Sequence, residues 1–134
     1  MDALSKYWIQ IINLKNKNYR YEYMIDDSFF DHFENSPIEK GSLKCLLSLD
    51  KTDNYIRIHF SIEGEVELTC DRSLDEFDHP LSTDHQIMFK FGEEDREIDD
   101  EVEMISRNRQ GINVAHYIYE FVSTSIPMKK LHPR

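Results

Sequence analysis

Six histidines are the side chains of this 134-residue chain best suited to moving protons or holding metals: His32, His59, His79, His85, His116 and His132. Their spacing matches no metal site. His116 and Glu120 stand one helical turn apart, which supplies half a ligand set at most. Ser73, Asp75 and His79 can be drawn as a nucleophile set, yet they fall in a turn-rich stretch with no oxyanion-donor signal beside them. The four glycines are isolated, so no phosphate-cradling loop is present. Cys45 and Cys70 each fall on the apolar phase of a strand-like run and are expected to be small buried hydrophobes. These patterns predict no catalytic residue, no metal and no cofactor, and no small-molecule substrate is evident.

Binding chemistry is better represented. Lys15-Asn16-Lys17-Asn18-Tyr19-Arg20-Tyr21 places cations beside aromatics, the combination that backbone contact and base stacking need. Tyr19, Tyr21 and Tyr23 share one strand phase and are expected to face the core, which leaves Lys15, Lys17 and Arg20 outward. Arg107, Arg109, Lys129 and Lys130 form the matching basic set near the other end. The charge layout is sharply uneven: four basic residues against one acidic in residues 1–20, seven against 24 in 21–105, and five against one in 106–134. The net charge of −10 therefore hides two cationic ends around an acidic centre. The run from Glu93 to Glu103 holds eight acids and one Arg, and like-charge crowding predicts a solvated, mobile loop or a docking surface for a basic partner.

The elements that must position these groups follow from periodicity. Trp8 to Leu14 and Tyr19 to Tyr23 are rich in β-formers around a polar Lys15–Asn18 turn and predict a hairpin. Asp26, Asp27 and Ser28 offer caps for a short helix carrying Phe29, Phe30 and Phe33. Leu43, Cys45, Leu47 and Leu49 alternate with polar residues, and after the turn Lys51-Thr52-Asp53-Asn54 the even positions from Ile56 to Cys70 do the same. So long a strand has to bend, and Gly64, in the inward phase without a side chain, is the expected corner or bulge. Ile87 to Phe91 predicts a further short strand. Val114, Ile118, Phe121, Val122 and Ser125 recur at helical steps, with Asn113 as cap and Pro127 as stop. The result is a single α+β domain over residues 1–134, dominated by antiparallel β-strands, with a short N-terminal helix and a C-terminal amphipathic helix. No apolar stretch approaches the about 20 residues of a membrane span, and the sparse cysteines with no leader ahead of them predict a reducing, cytoplasmic setting.

The segment from Leu68 to Phe77 resembles the YceD-like family, the large ribosomal RNA subunit accumulation proteins. Its signature is a strand running into a Cys-x-Arg-Cys-like turn followed by an aromatic. Gly64, Cys70, Asp71, Arg72 and Phe77 fit that pattern, as do the acidic stretch, the following helix, Pro127 and His132 further on. The similarity covers about residues 41 to 132. Ser73 stands where many relatives carry the second cysteine, so a paired-thiol role is lost here. Arg72, beside Asp71 and near Asp75, is expected to clamp the turn, with a phosphate contact as the other reading. What the resemblance implies is a non-catalytic factor in large-subunit ribosomal RNA accumulation and ribosome biogenesis. Its partner would be precursor RNA or a basic ribosomal protein. An acidic protein-binding adaptor without nucleic-acid contact is the alternative, and an uncharacterised hydrolase or metal enzyme a third class.

Overall fold

A computed structural model describes residues 5–33, 38 and 40–126. A 3₁₀ turn at Ser5–Tyr7 leads into β1 (Trp8–Gln10), followed by β2 (Asn18–Ile25), α1 (Asp27–Phe30), β3 (Gly41–Lys51), β4 (Tyr55–Thr69), β5 (Glu76–Gly92), β6 (Arg96–Asp99), β7 (Val102–Ser106), β8 (Gly111–Asn113) and α2 (Ala115–Thr124). Six strands form one sheet in the order β2-β3-β4-β5-β7-β6, and β1 and β8 form a separate two-stranded ladder. All neighbours are antiparallel except β5 and β7. The expected β-dominated α+β class with two helices is what the chain adopts.

Alternation decides which side of the sheet is covered. Leu43, Cys45, Leu47 and Leu49 on β3 and Ile56, Ile58, Phe60, Ile62, Val66 and Leu68 on β4 are all buried. Onto this side pack the 3₁₀ turn, α1 and α2. Tyr7 lies 4.9 Å from Tyr23 and 5.4 Å from Phe29, and Phe60 lies 5.1 Å from Phe121. Tyr19, Tyr21 and Tyr23 are half-buried against the same core, as their shared phase required. The Asp26 carboxylate caps α1 by accepting from the Ser28 amide at 3.1 Å.

Several expectations need correction. The hairpin joining residues 8–14 to 19–23 does not form: β1 pairs with β8, and β2 pairs with β3. Gly111 permits the first pairing, because a Cβ there would sit 2.5 Å from both the Ile9 carbonyl oxygen and the Trp8 ring. Gly64 is no bulge, since the register runs through it to Leu43 on one side and Leu81 on the other. A glycine is required because φ is +150° and a Cβ would lie 2.2 Å from the Ser42 carbonyl oxygen. Ile87 to Phe91 is the end of the 17-residue β5, which absorbs the segment around His79 that reads as turns. The acidic run is solvated as expected, but it is strand rather than loop: β6 and β7 form a hairpin that joins the sheet through β7. Asn113 caps α2 from one position early, its Oδ1 accepting from the Ala115 amide at 2.9 Å while Val114 holds the cap position itself.

Candidate nucleic-acid interface

Three connections meet at the end of the sheet where β4 begins and β5 finishes. The β3–β4 turn is closed by Thr52, whose amide donates to the Tyr55 carbonyl at 2.9 Å and whose hydroxyl accepts from the amides of Asn54 and Tyr55. The β1–β2 loop is drawn against it: Asn16 Nδ2 donates to Asp53 Oδ1 at 2.7 Å, and Asn16 Oδ1 accepts from Lys51 Nζ at 3.1 Å. The β7–β8 loop closes the third side, with Arg107 donating to the Asp53 carbonyl at 3.3 Å and the amides of Ile11 and Ile12 donating to the Gln110 carbonyl.

Phe91 lies at the centre. Its amide donates to the Asn54 carbonyl at 3.1 Å, and its ring carries two cations, Lys51 Nζ and the Arg107 guanidinium, each 5.5 Å from the centroid. Around the ring opens a groove of about 390 Å³ whose lining includes Ile12, Asn13, Lys51, Asp53, Arg107 and Arg109. Lys15 and Lys17 are exposed on the adjoining loop. Lys17 Nζ stands 5.0 Å over the Tyr19 ring, and the Tyr19 hydroxyl donates to the Lys15 carbonyl at 2.8 Å. A groove of this kind offers phosphate oxygens several cations and offers a base one aromatic face.

The predicted cations thus divide. Lys15, Lys17, Arg107 and Arg109 are brought to one end of the sheet. Arg20 is exposed on β2 opposite Ser48, outside the groove. Arg109 is already occupied, its Nε donating to the Gly111 carbonyl at 3.1 Å and its guanidinium lying 3.4 Å from the Asp95 carboxylate. Among the described residues no carboxylate lies within ion-pair distance of Lys15, Lys17, Arg20, Lys51 or Arg107. Lys129, Lys130, Pro127 and His132 lie outside the described residues. Sequence reasoning missed Lys51 and Phe91, which read as a turn residue and a strand end. No local pattern marks them: it is the register, Lys51 opposite Ile56 and Ile56 opposite Phe89, that brings that turn beside Phe91.

The Cys70-Asp71-Arg72 turn lies at the opposite end of the β4–β5 hairpin, separated from the groove by the 15 residues of β4. Cys70 is buried, its amide donating to the Asp75 carbonyl at 2.7 Å while its own carbonyl accepts from the Leu74 amide at 2.8 Å. Ser73 Oγ accepts from the Asp75 amide, so this hydroxyl serves the turn. The expected Arg72 clamp is not made: Arg72 is exposed, and among the described residues it has no carboxylate within ion-pair distance. Cys45 is fully buried, and burial pushes its thiol up to about 12, which keeps it an inert hydrophobe. His116 and Glu120 are both exposed, and no group of three metal-ligating side chains occurs among the described residues.

The model of the family described as Large ribosomal RNA subunit accumulation protein YceD matches residues 58–134, more than half of the chain, and the chain belongs to that family. No curated protein and no solved structure is significantly similar to it. The matched region holds Phe91, Arg107 and the Cys70-Asp71-Arg72 turn, whereas Lys15, Lys17 and Lys51 come from the part of the chain before it.

Proposed function

We propose that this member of the YceD family is a non-catalytic cytoplasmic factor in large-subunit ribosomal RNA accumulation that binds precursor RNA with the cationic end of its sheet. Membership of a family whose description names accumulation of the large ribosomal RNA subunit supports the process. The observation that carries the RNA contact is the pair Lys51 and Arg107 over one half-buried phenylalanine, with Lys15 and Lys17 exposed alongside and no carboxylate within ion-pair distance of them among the described residues. Lys51 and Arg107 stand at the groove to meet phosphates, and Phe91 gives an unpaired base a surface. The acidic remainder of the molecule keeps polyanions off other surfaces, so a protein of net charge −10 still presents one orientation to RNA.

The test is a titration of a large-subunit ribosomal RNA fragment into the full chain at two salt concentrations. Each phosphate contact contributes about 0.7 to 0.9 to the slope of log affinity against log salt. The double variant Lys51→Gln/Arg107→Gln is expected to weaken binding at low salt and to flatten that slope by nearly two contacts. Unchanged affinity and slope would remove the groove from RNA recognition.

A further inference from the structure

The geometry points to a second binding site: the open edge of β5 from Asp78 to Gln86 takes up an extended, basic segment of a protein partner as an added strand. This does not rest on the RNA reading, because the edge and the cationic groove share no residue.

Backbone direction comes first. Successive residues of a strand turn their amides to opposite sides. Met88 donates to the Glu101 carbonyl on the β7 side, and Phe91 donates to the Asn54 carbonyl on the β4 side, so even-numbered residues of β5 point away from β4. β7 covers that side only from Met88 to Gly92. Before Met88, the amides of Asp78, Ser82, Asp84 and Gln86 and the carbonyls of these residues and of Pro80 have no strand partner among the described residues. Pro80 fits the same parity, since a proline is tolerated in a strand where the missing N–H faces an open edge. The side chains of Asp78, Pro80, Ser82, Asp84 and Gln86 are all exposed.

Charge then selects the occupant. Opposite Asp78, Pro80 and Ser82 on β4 stand Glu67, Glu65 and Glu63, and Asp84 follows along the edge. Neither β4 from Ser61 to Thr69 nor β5 from Glu76 to Gln86 contains a Lys or Arg. The His59 imidazole lies 3.7 Å from the Asp84 carboxylate. An edge lined in this way repels a second copy of itself and repels nucleic acid, and it favours a strand with Lys or Arg at alternate positions. On the other side of the edge Leu81 is buried and His85 lies flat on Phe121 of α2, so the intervening residues of the added strand meet an apolar surface. A groove of about 560 Å³ over Gly64 reaches the same edge at Pro80 and Ser82; its lining includes Lys44, which lies 3.7 Å from the Glu22 carboxylate, and Glu63, which stands there to meet a basic side chain of the added strand.

The probe is a capped octapeptide alternating Lys and Val, compared with one alternating Glu and Val, added to the full chain and followed by amide hydrogen exchange and fluorescence anisotropy. The expected result is at least tenfold slower exchange at Ser82, Asp84 and Gln86 with the Lys peptide, little change at the odd-numbered amides between them, and at least tenfold weaker binding of the Glu peptide. Asp84→Lys is expected to weaken the Lys peptide at least tenfold. Ser82→Pro, which deletes one outward N–H, should do the same; if it fails to fold, Asp84→Lys decides alone. Lys51→Gln/Arg107→Gln is expected to leave peptide binding unchanged, which separates this site from the RNA groove. Equal affinity for the two peptides, protection elsewhere, indifference to Asp84→Lys, or a dimer of the chain protecting the same amides would each overturn the proposal.

Discussion

Arg107 and Lys51, far apart in the chain, place their charges over the same ring, each 5.5 Å from the centroid of Phe91. The ring both holds the cations in place and offers a stacking face, so its loss should be felt in binding more than in folding. Phe91→Leu retains half-buried apolar bulk and removes the π-face. Stacking of one base is worth about 1–3 kcal/mol. The expected outcome is RNA affinity lowered roughly 5- to 150-fold with the unfolding midpoint little changed, read by anisotropy and thermal melting.

Gly64→Ala should be among the most destabilising single-methyl changes available in this chain. The backbone there has φ +150°, and the new Cβ would meet the Ser42 carbonyl oxygen at 2.2 Å and the Leu43 Cα at 2.7 Å, both rigid parts of the neighbouring strand. Strain of this sort costs about 1–3 kcal/mol before the clash is added. A urea midpoint within experimental error of the parent would show that the strand tolerates a side chain at this crossing.

Tyr117 joins α2 to the acidic hairpin, its hydroxyl donating to Glu103 Oε2 at 2.5 Å. Burial and this bond to Glu103 push the phenol well above its ordinary range. Tyr117→Phe is expected to cost about 1–2 kcal/mol, the scale of a partly buried hydrogen bond to a carboxylate. Faster amide exchange in β6 and β7, with β2 to β4 unchanged, would locate the loss at the hairpin.

Alkali is expected to loosen the fold before acid chemistry at any one site does. Burial raises Tyr7 and Tyr23 to about 12 and Cys45 to about 12. The same groups in an unfolded chain ionise near about 10 and 8.5. The folded state therefore holds these protons longer. Their contribution to stability is complete below the unfolded values and is lost as pH rises through the folded ones. Denaturation midpoints should be level up to about pH 8.5 and fall steadily toward pH 12. Iodoacetamide should leave Cys45 unmodified at pH 8 until denaturant is added.

The core sheet was readable because its alternation is clean: β3 and β4 bury every apolar residue of their inward phases. The first half of β5 was not. Its inward positions His79, Thr83 and His85 are polar, and Pro80 suggests a break. They are tolerated because this stretch is an edge and α2 lays Phe121 on His85, ring planes 3° apart at 4.2 Å. In the acidic run, charge hid the apolar residues: Val102, Met104 and Ile105 pack β7 beside β5 while the acids of β6 face water. The pairing of β1 with β8 depends on a contact at Gly111 that no local pattern announces. For the proposed interface, the cations were legible in the sequence, but only register brings Phe91 and Lys51 together at the groove.

The ladder of β1 and β8 also sets a timetable. Trp8 pairs with Asn113, so β1 waits during synthesis for a strand made roughly 100 residues later, about 5–20 s at ordinary translation rates. Throughout that interval Ile9 lacks Ile112, its partner across the ladder, while Tyr7 can already pack on Tyr23 and Phe29.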